Sequence, residues 1–165
     1  MTGFARGSGK RDGDVWHGLP GRQVRSSRAE SRGVVPDCDQ AAKWLGIGAA
    51  KRDRISLANF GMLYDKGCGV PHDEHEALGL FMESANLGVG QAQFNLGVYY
   101  RDGKGTEADA VQSYFWFSVA ARENFPQARD RAGKMRKLLT PAQIAETDRR
   151  VALWKPERAP EYVIR

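Results

Sequence analysis

The sequence predicts an all-α protein: a right-handed α–α superhelix, or solenoid, of helix–turn–helix repeats with a 36-residue period. Two observations support this fold class. Residues 63–85 and 99–121 share glycines, an aspartate, an aromatic residue and an alanine when they are offset by 36 positions. The apolar residues of both segments also follow helical spacing. Units of this length cannot bury their apolar faces alone, so each copy needs a neighbour to cover it.

The N-terminal segment has a different composition from the repeats. Residues 1–32 are rich in Gly, Arg and Ser and show no helical or alternating period. Because such a segment buries too little apolar surface to offset the entropy of ordering, we predict a disordered basic leader. Residues 1–37 hold seven Lys or Arg against four Asp or Glu, so this leader supplies much of the net charge of +5. Contact of the leader with nucleic acid is an alternative, but a plain unstructured leader is favoured.

The remaining chain divides by the repeat period into several units. The predicted solenoid spans residues 33–156, and residues 157–165 form a tail. Within it we predict a partial repeat at 33–53, full repeats at 54–89 and 90–125, and a partial repeat with a terminal cap at 126–156. No segment fits a signal peptide or a membrane span, so we expect a cytoplasmic location by default.

Three aspartates mark the starts of one class of helix, which we call helix B. Asp37, Asp73 and Asp109 stand 36 residues apart. Each is followed three residues later by a Gln or Glu, at positions 40, 76 and 112. This spacing predicts a capping box, in which the aspartate accepts from free backbone N–H groups and the later side chain reaches back. The first helix B is expected at about residues 37–52.

Three glycines mark the alternate class of helix, which we call helix A. Gly61, Gly97 and Gly133 also stand 36 residues apart, inside apolar stretches. A glycine inside a helix costs about 1 kcal/mol relative to alanine, so its recurrence predicts a close approach of a neighbouring helix. Two of these helices are expected at residues 58–67 and 94–103, shorter than helix B.

The two ends of the solenoid depart from the repeat. The first helix B has no recognisable helix A before it, so its apolar stripe (Ala41, Trp44 or Leu45, and Ala49) predicts self-association through this end or cover by the leader. At the other end, Thr140 and Pro141 predict the start of a capping helix. We expect it to stop at Pro156, with Ile144, Val151 and Leu153 or Trp154 covering the last repeat and Arg149 and Arg150 facing water.

The second full repeat resembles the Sel-one-like repeat family, short relatives of the tetratricopeptide repeat. The matching residues are Ala92, Leu96, Gly97, Tyr100, Gly103, Gly105, Asp109, Trp116, Ala120 and Ala121. The first full repeat departs from the pattern at Phe60 and Ser84. The segment from Asp109 to Pro156 also resembles the closing segment of many bacterial members. The resemblance implies an adaptor that binds proteins.

Catalytic chemistry has little support in the residues. His72 and His75 lie beside three acidic residues, which raises the alternative of a metal-dependent hydrolase. Asp73 and Glu76 are already engaged by the predicted cap, so we expect no metal, no cofactor and no enzyme activity. The chain has two cysteines, and we expect Cys68 to be an exposed free thiol, without the disulfides of one subgroup of the family.

The favoured function is protein or peptide binding along the helix A face. In solenoids of paired helices, ligands lie across a row of equivalent positions. Asn59 and Asn95 are equivalent, and amides can both donate to and accept from a peptide backbone. The expected partner-binding residues are Asn59, Met62, Asn95, Val98, Arg131, Lys134 and Lys137. Because the last three are basic, we expect a partner with an acidic end; a solvated helix face with no ligand is the alternative.

Overall fold

The structure, a computed structural model, describes residues 37–157. That part of the chain holds seven α-helices and no strand. The helices are α1 (Cys38–Ala50), α2 (Arg54–Lys66), α3 (Glu74–Asn86), α4 (Gly90–Asp102), α5 (Ala110–Arg122), α6 (Ala128–Arg136) and α7 (Pro141–Leu153). The all-α helical repeat fold is therefore confirmed. The leader predicted at residues 1–32, and its contact with nucleic acid, lie outside the described residues.

The three predicted aspartates are the N-caps of α1, α3 and α5. Each has an extended backbone, and its carboxylate accepts from backbone N–H groups of the first turn. The carboxylate of Asp109, for example, accepts from Val111 N at 2.8 Å and Gln112 N at 3.0 Å. Within the described chain, the full reciprocal capping box is formed at α7, between Thr140 and Gln143. The aspartates thus stabilise helix starts that lie 36 residues apart without the predicted return bond.

The A helices are longer than the sequence indicated. α2 and α4 each have 13 residues, the same length as the B helices, and begin four residues before the expected positions. For α2 the reason is Asp53, whose side chain accepts from Ser56 N at 2.8 Å and caps the helix. Both helices end at a glycine with positive φ, Gly67 and Gly103, as is usual at helix C-termini.

Consecutive helices from α1 to α6 pack against one another, and α7 packs against α5. At the A–B contacts, the ring of Phe81 lies against Gly61 and the ring of Phe117 lies against Gly97. A Cβ at Gly97 would come within 2.5 Å of Cδ1 of Phe117. These two glycines therefore permit the close approach that their period predicted, and both rings are buried.

Gly133 does not follow the other two glycines. No heavy atom lies within 4 Å of a Cβ built at this position, so the predicted close approach is absent. The reason is the path of the chain after α6. The N-cap of α7, Thr140, comes 31 residues after Asp109, and α7 packs against α5 instead of completing a third A–B pair.

The two cysteines form a disulfide, which corrects the expectation of a free thiol at Cys68. Cys38, the first residue of α1, is bonded to Cys68 in the turn after α2, with the Cα atoms 5.2 Å apart. The next residue, Gly69, has a φ of +71°, and a Cβ there would lie 2.1 Å from the Cys38 carbonyl oxygen. Disulfides persist in oxidising compartments and are rare in the cytosol, so the cytoplasmic default loses its support.

Of the residues expected to cover the last repeat, Ile144, Val151 and Trp154 pack against the core clusters, whereas Arg150 departs from its prediction. Val151 is buried and Trp154 packs edge-on to Trp116, but Leu153 is 66% exposed. Arg149 is exposed as expected. Arg150 does not simply face water, because its guanidinium lies over the Phe115 ring at 4.7 Å.

Beyond α7 the chain runs back over the turns that join helix B to helix A. The guanidinium of Arg122 donates to the carbonyl of Val151, and Glu157 N donates to Asn86 O at 2.8 Å. Arg52, in the first of these turns, pairs with Glu83 and reaches Glu157 at 3.5 Å. The last described residues therefore tie together turns from three successive helix pairs.

Candidate functional site

The expected partner-binding residues lie on the three A helices. Asn59 and Met62 are on α2, Asn95 and Val98 on α4, Arg131 and Lys134 on α6, and Lys137 is the C-cap of α6. We call this set the helix A face. Its residues come from successive repeats at equivalent positions, which is the arrangement that an extended ligand needs.

The two asparagines are half-buried and have spare hydrogen-bonding capacity. The side-chain carbonyl of Asn95 accepts from the Gln91 amide at 3.0 Å, which leaves the Asn95 amide NH₂ free to donate. Within the described chain, the Asn59 side chain makes no hydrogen bond. A peptide backbone could therefore be bound at both positions without breaking the fold.

The two apolar members are less available than the sequence indicated. Met62 packs against the main core cluster of the solenoid, and Val98 packs against a second cluster around Tyr114 and Phe117. Both side chains are half-buried. They can contribute an apolar floor to the helix A face, but they do not project from it.

The basic end of the face is partly neutralised by neighbouring carboxylates. Lys134 Nζ lies 2.8 Å from Asp130, in an exposed pair one helical turn apart. Arg131 is half-buried and interacts with Asp102: Arg101 most strongly, then Lys104 and Arg131, hold the pKa of the Asp102 carboxyl below its ordinary value. Lys137 is exposed, and with Arg131 it supplies most of the unneutralised positive charge of this face.

A more exposed apolar feature adjoins the helix A face and was not predicted. Leu138, directly after Lys137, is 69% exposed. It lies at the rim of an open cavity of about 500 Å³ whose lining includes Tyr100, Val111, Leu139 and Gln143. The only sequence signal for it is the Leu-Leu pair next to a basic run, which is equally typical of a buried helix end.

A polar cluster between repeats was also missed. The Tyr99 hydroxyl donates to Asp65 at 2.5 Å, and Lys104 Nζ lies 3.0 Å from the same carboxylate. Lys104 also lies 3.8 Å from Glu74 and 5.3 Å from the centre of the Tyr99 ring. Burial, followed by the bond to Asp65, raises the pKa of the Tyr99 hydroxyl well above its ordinary value. The cluster joins consecutive A helices, which indicates a structural role.

The two histidines do not form part of a metal site in the described residues. His72 and His75 are both exposed, and His75 Nδ1 lies 3.2 Å from the carbonyl oxygen of Gly105. Residues 37–157 contain no group of three or more His, Cys, Asp or Glu placed to hold a metal ion. The hydrolase alternative therefore gains no support from the geometry.

The fold and the face together define a class: an α-helical repeat solenoid whose equivalent positions offer a row of polar and basic side chains. Residues 28–53, 55–89 and 90–125 match the Sel1 repeat. These matches cover more than half of the chain, and the protein belongs to the Sel1 repeat family. Members of this family are generally scaffolds for protein interactions. Among the described residues, no helix is both long and apolar enough to cross a membrane.

Similar proteins of known structure or description support the same class. A protective antigen of uropathogenic Escherichia coli with an SLR fold superposes with a TM-score of 0.70 and 27% identity, over 77% of this chain and 28% of its own. A Sel1 repeat protein from Oxalobacter formigenes gives a TM-score of 0.56 and 32% identity, over 59% of this chain and 40% of its own. The chitin synthase regulator SKT5 of Saccharomyces cerevisiae is 32% identical over 90 residues, which are 53% of this chain and 13% of that protein.

Proposed function

We propose that this protein is an adaptor that binds an extended segment of a partner protein along the helix A face. The observation that supports it best is the pair of equivalent asparagines, Asn59 and Asn95. Both are partly exposed, and each retains a side-chain NH₂ that makes no hydrogen bond within the described chain. A bound backbone would satisfy them, and the repeat sets them along one line.

The basic end of the face suggests the chemistry of the partner. Arg131 and Lys137 stand beyond the asparagines, so a segment with an acidic end, or a free C-terminal carboxylate, would be complementary. Lys134 contributes less because Asp130 pairs with it. The apolar floor at Met62 and Val98 would accept small aliphatic side chains between these polar contacts.

Site-specific photo-cross-linking tests the location of the partner. A photo-reactive amino acid replaces Asn59 or Asn95 in the full chain, and the same amino acid at Gly79, on the exposed side of α3, serves as the control. With an extract of the native host, we expect a protein adduct from both asparagine positions and none from Gly79. Equal labelling from all three positions, or labelling from Gly79 alone, would rule out the helix A face as the site.

Charge reversal tests the acidic end. Arg131→Glu combined with Lys137→Glu should slow association with the captured partner and remove most of its salt dependence. Lys51→Glu combined with Lys155→Glu makes the same change in net charge at two exposed lysines elsewhere. If the two double variants bind alike, the partner does not use the basic end.

A further inference from the structure

The third repeated glycine has an open side where the first two are covered. In the two complete A–B pairs, a phenylalanine ring of the following helix B lies against the glycine of helix A: Phe81 at Gly61 and Phe117 at Gly97. At Gly133 no atom takes that place within 4 Å. Since α7 turns away to pack on α5, α6 is a helix A without its helix B.

An open cavity of about 410 Å³ lies at this position, between α5, α6 and α7. Its volume falls within the range of about 300–1,000 Å³ that is usual for ligand pockets. The small lining residues Ser118, Ala121, Ala132 and Gly133 leave room for a ring. We call this cavity the Gly133 pocket.

The walls of the Gly133 pocket are strongly basic. Arg129 and Arg136 flank Gly133 on the same side of α6, and neither forms an ion pair within the described chain. Arg122, on α5, is directed at the carbonyl of Val151. One carboxylate, Asp148, also lines the pocket and accepts a hydrogen bond of 2.6 Å from the Tyr114 hydroxyl, so three arginines stand against a single acidic residue. Two arginines without an ion pair in the described chain thus line an open cavity.

We propose that the Gly133 pocket binds a phenylalanine side chain flanked by acidic residues in a partner protein. The ring would occupy the place that Phe81 and Phe117 occupy in the complete pairs. Arg129 and Arg136 would stack on the ring or pair with the adjacent carboxylates, both of which guanidinium groups do well. Helical spacing puts these two arginines on the opposite side of α6 from Arg131 and Lys134, so this pocket is separate from the helix A face.

Fluorescence anisotropy with the full chain tests the pocket. The probe is a short fluorescent peptide with one phenylalanine between glutamates. Gly133→Leu fills the pocket and should weaken binding by about tenfold or more, since anchors of this kind are hot spots. Gly79→Leu is the matched control, because Gly79 is also in a helix with no atom within 4 Å of a built Cβ. The control should bind the probe as the unaltered protein does.

The charge and the ring are tested separately. Arg129→Glu combined with Arg136→Glu should abolish binding, whereas Lys51→Glu combined with Lys155→Glu should leave it unchanged at the same net charge. Peptides with alanine in place of the phenylalanine, or glutamines in place of the glutamates, should each bind at least about tenfold more weakly.

Three outcomes would overturn the proposal. The first is a probe that binds Gly133→Leu and the unaltered protein equally well. The second is no measurable binding of the acidic aromatic peptide. The third is concentration-dependent self-association in sedimentation experiments that Gly133→Leu abolishes, because the occupant of the pocket would then be a second copy of this chain.

Discussion

A disulfide joins Cys38 to Cys68, and the equivalent positions one repeat later hold Glu74 and Lys104. The later pair is held by charge, with 3.8 Å between Lys104 Nζ and Glu74. In each pair, the glycine that follows the second residue lies against the backbone of the first residue. A Cβ at Gly105 would lie 2.4 Å from the Glu74 carbonyl oxygen, and a Cβ at Gly69 would lie 2.1 Å from the Cys38 carbonyl oxygen. The turn after each helix A is therefore fastened to the start of the preceding helix B, once by a covalent bond and once by an ion pair.

Removal of the disulfide should destabilise the N-terminal end of the solenoid. The bond closes a sequence separation of 30 residues, for which the chain-entropy account gives about 3.6 kcal/mol of stabilisation. We expect Cys38→Ser combined with Cys68→Ser to lower the free energy of unfolding by about this amount in urea denaturation. The unaltered protein in reductant should behave like the double variant, and reductant should not affect the double variant. Identical denaturation midpoints with and without reductant would show that the bond does not stabilise the fold.

The equivalence of the two pairs predicts a second, engineered disulfide. Glu74→Cys combined with Lys104→Cys replaces the ion pair between these two residues with a pair of thiols. Oxidation should consume both new thiols and raise the melting temperature, although the loss of the bond between Lys104 and Asp65 offsets part of the gain. Thiol titration of the unfolded protein measures the first effect and calorimetry the second. Free thiols that persist after oxidation would mean that the two turns are not equivalent.

The helix pattern could be predicted because it depends on local signals. Asp37, Asp73 and Asp109 each cap a helix through bonds within their own first turn, and Gly61 and Gly97 recur because the same contact recurs. The lengths of α2 and α4 could not be read from glycine and apolar spacing alone. α2 starts where it does because Asp53 caps it by accepting from Ser56 N. The sequence around Asp53 is also typical of a turn, so the pattern alone did not show this helix start.

The contacts between repeats were harder to predict. The disulfide joins a helix start to a distant turn, and a count of two cysteines carries no information on their distance. The offset of 36 residues was an available signal, since it aligns the cysteines with the oppositely charged Glu74 and Lys104. At Gly133 the period was misleading because α7 begins early and packs elsewhere. The positions of the helix A face were placed on α2, α4 and α6, but the burial of Met62 and Val98 depends on packing that periodicity does not show.

The covered and uncovered glycines should respond oppositely to alanine. Gly97→Ala forces a methyl group into the Phe117 ring and should cost about 1–3 kcal/mol of stability, despite the better helix propensity of alanine. Gly79→Ala meets no atom within 4 Å and should instead stabilise by up to about 1 kcal/mol. Thermal or urea denaturation measures both. A stabilised Gly97→Ala variant would mean that the Phe117 ring can move aside at little cost.

A buried hydroxyl on the capping helix should be dispensable. Thr147 is 1% exposed, and its Oγ1 has no hydrogen-bond partner in the described structure. Thr147→Val keeps the shape and removes the unsatisfied group, so we expect a gain of about 1 kcal/mol in the free energy of unfolding. Thr106→Val, at an exposed turn position, is the control and should have little effect. A loss of stability in Thr147→Val would indicate that a water molecule satisfies the hydroxyl.

The Tyr99 hydroxyl should make the fold sensitive to alkaline pH. Burial, and then the bond to Asp65, raise its pKa above the ordinary value, so the folded protein retains this proton at a pH where the unfolded chain has lost it. The resulting stabilisation is fully present below the unfolded pKa of about 10 and is lost as the pH rises from there through the folded pKa.

We therefore expect the free energy of unfolding to fall more steeply above about pH 10 in the unaltered protein than in Tyr99→Phe, by up to about 1.4 kcal/mol per pH unit. Tyr64→Phe is the matched control, because it keeps the edge-on ring contact with Phe60 at 5.0 Å while removing a different hydroxyl. Urea denaturation at several pH values, with ultraviolet titration of the tyrosines in parallel, measures the difference. If Tyr99→Phe and the unaltered protein lose stability in parallel above that pH, neither burial nor the bond to Asp65 couples the proton of Tyr99 to folding.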